Sequence, residues 1–280
     1  GTLNAMLWNA NERVGNSFEK GDFVRVKGSS QIYNGGLQMI ATDVARVDPN
    51  EISDVSVFVV LDERRIEELW AELTAHLRSL ENYHLRNLGE CFLMDETLTQ
   101  QLQQAPAGIR NHHAYRGGLL EHVVSLVTLC EKVGAQYPAI DADLLRFGAF
   151  LHDIGKVEEL LYDRELGYSD EGQAVGHLVQ GIAILDQKIR EAEKLSGESF
   201  PHELAWRLRH MIASHHGTPE FGAVKVPMTL EAVALHYLDS LDAKINSYTQ
   251  WVREDANADS PWTNYSPQES RKFYKPSVAD

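Results

Sequence analysis

The hydrophobic periodicity of the chain changes once, near Leu61, and this change limits the folds that the sequence can adopt. Before it, apolar and polar residues alternate, so that Val24 and Val26 fall on one face of a strand and the basic residues beside them on the other. After it, apolar residues recur every three or four positions, as on the buried stripe of a helix. The chain is therefore predicted to be mainly α, with a small β region ahead of a helical bundle.

The β region, residues 1–61, is predicted to contain four or five short strands. A hairpin is indicated at Asn34-Gly35-Gly36, and another β-like run spans residues 55–61. Short strands at this density favour a small barrel of the OB type. Because the opening residues read like the middle of a domain, the barrel is expected to be truncated at its N-terminus, with the chain beginning inside the first hairpin.

From Asp62 to about residue 252 the chain is predicted to be nearly all helix. Asp62 can cap a helix whose apolar stripe, within residues 62–88, runs through positions 66, 69, 73, 77 and 80. The other predicted helices span residues 95–104, 117–135, 141–154, 172–195, 201–214 and 229–250. The predicted parts are an OB-like domain (1–61), connecting helices (62–104), a helical domain (105–254) and an irregular tail (255–280).

The charge of the chain is acidic and uneven. The formal net charge is −15, of which residues 1–61 carry −2 (five basic, seven acidic) and residues 62–280 the remaining −13. Such acidity disfavours a passive nucleic-acid coat, and bound divalent cations could offset part of it. No apolar run approaches the roughly 20 residues that cross a bilayer. Cys91 and Cys130 lie far apart in sequence, so a cytoplasmic protein without a membrane partner or disulfide framework is expected.

Five predicted helices each direct a histidine or an aspartate toward an apolar interior. The residues on these buried stripes are His122, His152, His177, His215 and Asp239. Burying imidazoles and carboxylates without partners is costly, and a shared divalent metal removes that cost. The nitrogen and oxygen donors, without thiolates, suit Mn, Fe, Co, Ni, Mg or Zn.

Asp153 differs from the histidines, because its two carboxylate oxygens can bridge two ions. The predicted ligands are His122, His152 and Asp239 for one ion, and His177 and His215 for the other. Two metals about 3.5–4 Å apart would activate water and clamp both ends of an in-line displacement at phosphorus. The residues alone leave Asp242 open as an alternative to Asp239, and His210 or His216 as alternatives to His215.

Two further residues near these ligands are candidates for catalysis. Lys156 lies one turn past His152, where it could meet a phosphate oxygen or simply favour the C-terminal end of a helix. His216 follows His215 at a helix end and could be a second ligand or an acid/base group.

Two sets of residues are candidate substrate contacts. The segment NHHAYRGG (111–118) could grip a phosphate or stack a base, or could be an ordinary polar loop; its candidates are His112, His113, Tyr115 and Arg116. Trp8, Phe23 and Tyr33 on the β region could stack bases or belong to the barrel core.

The order His…His-Asp…His…His…Asp resembles that of the HD superfamily of metal-dependent phosphohydrolases, and specifically its two-metal branch, which includes the HD-GYP cyclic-dinucleotide phosphodiesterases. The segments PAGIRNHHAYRGGLLEHV, GAFLHDIGKVEEL, GHLVQG and HMIASHHGTPEFGA look more closely like the YhaM-type 3′-to-5′ exoribonucleases, in which an OB fold precedes an HD domain. The resemblance implies a helical HD domain over 105–254, a pair of divalent ions, often manganese, and removal of nucleotides from single-stranded RNA or DNA.

The leading hypothesis is therefore a metal-dependent 3′-to-5′ exonuclease in which Asp153 bridges the ions and Lys156 orients the phosphate. The alternative is an HD phosphohydrolase that acts on a small nucleotide or a cyclic dinucleotide. A binding protein with a vestigial site is disfavoured by the full ligand set, and a di-iron oxygenase would not need an OB barrel. The sequence leaves open whether the chain forms a homo-oligomer.

Overall fold

The computed structural model describes residues 3–8, 10, 12–18, 22–33, 36–48, 61–109, 113–162, 166–255, 257, 260–266 and 269–276. The chain divides into two compact units, one formed by residues 1–55 with 244–280 and the other by residues 56–243. The division into four parts that the sequence suggests stays a prediction.

A three-stranded sheet forms the N-terminal β region. Its elements are β1 (Asn4–Met6), the short helix α1 (Glu12–Gly15), β2 (Val24–Tyr33) and β3 (Gly36–Arg46). The strand order is β1-β3-β2, with β2 antiparallel and β1 parallel to β3. Because Tyr33 pairs with Gly36, the predicted hairpin is confirmed, although its turn residues 34 and 35 lie outside the described residues.

The described residues of this β region form an open sheet of three strands. An OB fold is a five-stranded, partly open barrel, whereas the described residues of this region contain three strands. The predicted strand at 55–61 lies outside the described residues except for Leu61. A small N-terminal β region is present, and the OB barrel stays a prediction.

Between Glu63 and Glu254 the described residues are mainly helical, as their periodicity predicts. The helices are α2 (Glu63–Arg78), α3 (Tyr83–Leu93), α4 (Glu96–Gln104), α5 (Gly118–Gln136), α6 (Ala142–Leu151), α7 (Lys156–Glu159), α8 (Asp170–Val175), α9 (His177–Ser196), α10 (His202–Ser214) and α11 (Leu230–Glu254). A 3-10 turn spans Pro219–Phe221, and the short strands β4 (Leu160–Leu161) and β5 (Gly167–Tyr168) pair antiparallel. Asp62 caps α2 by accepting from the Arg65 N–H, as expected.

Three predicted helices differ from the observed ones: two are divided and one ends early. The stripe over 62–88 is divided after Arg78, because Asn82 accepts the first N–H groups of a new helix, α3. The helix predicted over 172–195 is interrupted at Gly176, whose φ of +79° is incompatible with helix continuation. The helix predicted over 141–154 ends at Leu151, so His152 and Asp153 lie in the turn before α7.

Leucine and phenylalanine side chains from the predicted stripes fill the core of the helical unit. Leu119, Leu126, Leu145, Leu151, Leu208 and Met211 are fully buried, and the free thiols Cys91 and Cys130 lie in the same core. Phe92 packs edge-on against Phe150, with ring centroids 5.2 Å apart. Each buried leucine contributes about 1.5–3 kcal/mol, which holds α5, α6 and α10 in fixed positions. Among the described residues, no helix is both long and apolar enough to cross a bilayer.

Candidate metal centre

The predicted histidines and aspartates meet in one buried cluster. His122 comes from α5, the His152-Asp153 pair from the turn after α6, His177 from the start of α9, His215 from the end of α10 and Asp239 from the middle of α11. His152 is completely buried, and His215, His122 and Asp153 are 1–3% exposed. Five segments distant in sequence thus place their polar side chains together inside an apolar bundle.

Asp153 lies at the centre of this cluster. Its Oδ2 atom is 3.2 Å from His152 Nε2 and 3.9 Å from His122 Nε2. Its Oδ1 atom is 3.5 Å from both His177 Nε2 and His215 Nε2. Each carboxylate oxygen therefore faces its own pair of imidazole nitrogens, as expected for a carboxylate that bridges two ions.

The other ring nitrogen of each of these four histidines donates a hydrogen bond away from the cluster. The acceptors of the Nδ1–H groups are Asp242 Oδ2 for His122 (2.9 Å), Ala149 O for His152 (2.7 Å), Glu159 Oε1 for His177 (3.0 Å) and Ile212 O for His215 (2.9 Å). In the neutral form of each ring, the proton on Nδ1 leaves the lone pair on Nε2, which faces Asp153. Fixing the tautomer in this way is typical of histidines that bind metals.

Asp239 and Asp242 contact His122 on opposite sides of its ring. Asp239 Oδ1 lies 3.2 Å from His122 Nε2 and 3.8 Å from His152 Nε2, within the cluster. Asp242 accepts hydrogen bonds from His122 Nδ1 and from Ser125 Oγ, the latter at 2.7 Å. The geometry favours Asp239 as the ligand and Asp242 as the residue that orients His122.

Several buried atoms of the cluster lack hydrogen-bond partners. Within the described part of the chain, no partner is present for Asp153 Oδ1, His177 Nε2 or His216 Nδ1, all inaccessible to solvent. Buried polar atoms of this kind are destabilising when unsatisfied. All three can coordinate a cation, so the residues fit a divalent metal.

The electrostatics of the cluster also favour a cation. Burial lowers the pKa of His122, but the hydrogen bonds to Asp239 and Asp242 outweigh burial and raise this pKa to about 10. Burial raises the pKa of Asp153, but the charges of Lys156 and His152 hold it well below its usual range. The carboxylates are therefore ionised at neutral pH, and positive charge beside them is stabilised.

Four groups of three donors among the described residues could hold an ion. They are His122-His152-Asp153, His152-His215-Asp239, His177-His215-His216 and His113-His122-Asp242, and in each group the ligand atoms lie within 4.8 Å of one another. The first three surround the two oxygens of Asp153. In the fourth, the oxygens of Asp242 already accept hydrogen bonds, so its geometry is less suited to an ion.

A comparison with family models agrees with this geometry. The model of the HD domain matches residues 119–244. These residues are similar to an HD domain. HD domains are generally metal-dependent hydrolases, and all of the predicted metal ligands lie within the matched range. A search of solved structures found no match.

Lys156 and His216 border the predicted metal ligands. Lys156 Nζ donates to Asp153 Oδ2 and to Ala107 O, each at 2.7 Å. The ammonium group of Lys156 therefore lies in direct contact with the Asp153 carboxylate. The His216 ring lies 4.2 Å from that of His215 and 5.1 Å from that of His177, measured between centroids. Burial and the neighbouring His215 lower the pKa of His216 to about 3, so His216 is neutral at pH 7.

The predicted substrate-contact loop lies partly beside the cluster. His113 is buried, its ring centroid 5.8 Å from that of His122, and its Nδ1 lies 2.9 Å from Tyr115 Oη and 3.1 Å from Glu121 Oε2. Tyr115 also donates a short hydrogen bond to Glu121. Arg116 is exposed, and His112 lies outside the described residues.

Some residues with evident roles are not distinguished by the sequence pattern. Glu159 accepts from both the ring and the backbone N–H of His177, and His236 Nδ1 donates to the carbonyl of His215 at 2.7 Å. Neither stands out from the other charged or aromatic residues near it. His210 is turned away from the cluster, because its Nε2 accepts the Met228 N–H.

Proposed function

We propose that the chain is a metal-dependent phosphohydrolase that removes nucleotides from the 3′ end of single-stranded RNA or DNA. The observation that carries the hydrolase proposal is the arrangement of four Nε2 atoms in two pairs, one facing each oxygen of Asp153. The single-strand and 3′-to-5′ assignments are supported by the resemblance of the sequence segments to YhaM-type exoribonucleases.

The residues divide naturally into two ligand sets that share Asp153. His122, His152 and Asp239 would hold one divalent ion, and His177 and His215 the other, with manganese the first candidate. Bound ions of this kind act as Lewis acids on phosphoryl oxygens and lower the pKa of water. Asp242 and Glu159 hold the rings of His122 and His177 in the orientation that this binding requires.

Other side chains bind and orient the substrate in this proposal. Lys156 carries a positive charge beside Asp153 and can neutralise a phosphate oxygen. His216 is neutral at pH 7, and its buried Nδ1 can accept a hydrogen bond from water. His113 and Tyr115, held by Glu121, would border the substrate next to His122, with His112 and Arg116 from the same loop as further contacts.

Aromatic residues of the β region are candidates to stack the bases of a strand. Trp8 and Tyr33 are 74% and 61% exposed, so their ring faces are available. Phe23 is half-buried and is a weaker candidate. Stacking on aromatic rings contributes about 1–3 kcal/mol per base and tolerates different sequences.

Degradation of labelled strands tests the proposed function directly. The full chain, loaded with manganese, is mixed with single strands labelled at the 3′ or the 5′ end, and separately with cyclic dinucleotides. We expect 5′-labelled strands to shorten progressively and 3′-labelled strands to release the label at once. Asp153→Asn should abolish this activity, whereas the control Asp186→Asn, on an ion pair with Arg209 outside the cluster, should retain it. Hydrolysis confined to cyclic dinucleotides would favour the alternative substrate class, and no hydrolysis of any phosphodiester would contradict the proposal.

A further inference from the structure

The outer face of α11 is apolar, where the exposed face of a helix is normally polar or charged. Over residues 230–243, which belong to the helical unit, the exposed side chains are those of Leu230, Val233, Tyr237 and Leu241. Their spacings of three, four and four residues place them in one stripe along the helix, here called the outer stripe. The opposite face of α11 is also apolar, because Ala232 and Leu235 are completely buried there. A helix that is apolar on both faces is normally covered on both faces.

The loop before α11 extends this apolar surface. Its exposed apolar side chains are those of Phe221, Val224, Val226 and Met228. The loop starts beside the helix, since a Cβ atom at Gly217 would overlap the ring of His236, and it ends where α11 begins. The Val224 N–H donates to the carbonyl of Ala213 on α10 at 2.9 Å, which holds the loop in place. The loop therefore runs alongside the first turns of α11 and presents its apolar side chains next to the outer stripe.

The surface formed by the outer stripe and this loop has the size of a protein interface. Its eight apolar side chains are 40–77% exposed. Their exposed area is on the order of 900 Å², since large side chains of this kind present roughly 150–250 Å² when fully exposed. A stable interface buries about 800 Å² on each partner, whereas the largest apolar patch of a monomeric protein is typically about 300–600 Å². The area is therefore sufficient for a stable dimer.

The charge of this surface indicates which partner it fits. Between residues 221 and 243 of the described structure, Lys225 is the one exposed residue that carries a charge, although the whole chain has a net charge of −15. Two copies of so acidic a chain repel each other, and the repulsion is weakest where carboxylates are absent. A nucleic acid or an anionic membrane would require a cluster of basic side chains, which Lys225 alone does not supply.

The outer stripe is also complementary to itself. If two α11 helices pack antiparallel about a two-fold axis between Val233 and Tyr237, Leu230 faces the partner subunit's Leu241. In the same arrangement, Val233 faces the partner subunit's Tyr237. A two-fold interface requires such pairing of one patch with itself, and tyrosine near the centre of an interface often dominates its affinity.

We propose that the outer stripe and the preceding loop form the interface of a homodimer, in which α11 of each copy packs antiparallel against α11 of the other. The two faces of α11 then have different roles. The inner face carries Asp239 and Asp242 to the metal cluster, and the outer face joins the two copies.

The molar mass of the full chain in solution tests this proposal. In sedimentation velocity experiments, we expect a species of twice the 31.5 kDa of one chain, with a dimer Kd of about 1 µM or tighter. Because the proposed contacts are apolar and the copies repel each other, raising the salt concentration from about 0.1 to 1 M should strengthen the dimer. The measurement involves neither metal loading nor hydrolysis, so its result is independent of the proposed function.

Variants connect the dimer to this surface. Tyr237→Glu places two carboxylates at the centre of the interface and should raise the dimer Kd at least about 100-fold. Met228→Glu, in the loop, tests the same surface outside the helix and should raise the Kd about tenfold. The matched control is Leu195→Glu on α9, where the leucine is 69% exposed, against 68% for Tyr237; it should dimerise as the wild-type chain does. Circular dichroism checks that each variant is folded.

Two results would overturn the proposal. If Tyr237→Glu and Met228→Glu dimerise as tightly as the control, the copies meet through another face. If the wild-type chain stays monomeric up to about 100 µM, the outer stripe belongs instead to the contact with a different protein. Loss of the dimer in both variants, but not in the control, would support the proposed interface.

Discussion

Gly155 packs directly against the backbone of His177 in the metal centre, and replacing this glycine provides a sharp test of the site. Gly155 has φ −66° and ψ −16°, a conformation open to any residue, so the constraint at this position is space. A Cβ atom there would overlap the carbonyl oxygen of His177 and lie 2.6 Å from the Gly181 nitrogen. Both obstacles are backbone atoms and cannot rotate away.

The magnitude of the effect follows from these distances. Real Cβ atoms essentially never approach another atom within 3.0 Å, so Gly155→Ala must separate the α7 turn from the start of α9 by roughly 1 Å. His177 would move away from Asp153 by a similar distance. A misplacement of about 1 Å can cost about 100-fold in rate, and overpacking costs about 1–3 kcal/mol of stability.

Metal binding, thermal unfolding and hydrolysis are measured together for Gly155→Ala. The matched control is Gly181→Ala, on the facing helix, where a Cβ atom would lie 3.4 Å from its nearest neighbours, the Gly155 nitrogen and Ile154 Cγ2. We expect the first variant to lose metal affinity and about 100-fold in rate, and the control to lose little. Equal behaviour of the two variants would refute the argument that close packing at Gly155 positions His177.

Three other substitutions test separate parts of the account. Asp242→Asn should weaken metal binding about 10–100-fold by calorimetry, because Asp242 orients His122 without being a ligand. His177→Ala should leave one ion bound where the wild-type chain holds two, as measured by elemental analysis. Glu231→Gln should lower the free energy of unfolding at pH 7 by about 1–3 kcal/mol. Burial opposes the charge of Glu231, but the Asp141 N–H and Arg207 outweigh burial and hold its pKa below the ordinary 4.5. This stabilisation is therefore present above pH 4.5 and lost as the pH falls through the lowered pKa, so the two chains should converge in acid denaturation experiments.

Residues of the site on long amphipathic helices could be predicted from the sequence. His122 and Asp239 lie on apolar stripes that continue for several turns, and the direction of a stripe fixes the direction of the side chain. The buried position of His152 follows in the same way from Leu145 and Leu151, although the helix ends one residue earlier than the pattern suggests. For these residues, the hydrophobic periodicity alone predicts the direction in which the side chain points.

The residues that orient the ligands could not be predicted in this way. Glu159 lies on α7, a single turn of four residues, and periodicity cannot distinguish it from Glu158. Its role depends on Gly176, whose positive φ starts α9 in a direction that lets the His177 backbone N–H reach Glu159 at 3.1 Å. Glycine within an apolar pattern is compatible with a continuous helix, so the break becomes visible only in three dimensions.

The central claim is that Asp153 bridges two divalent ions held by imidazoles from separate helices. Anomalous diffraction at the manganese absorption edge, from crystals of the full chain grown with manganese, tests it most directly. We predict two peaks, one beside Asp153 Oδ2 among His122, His152 and Asp239, and one beside Oδ1 between His177 and His215. An absence of both peaks, or a manganese ion bound away from Asp153, would contradict the claim.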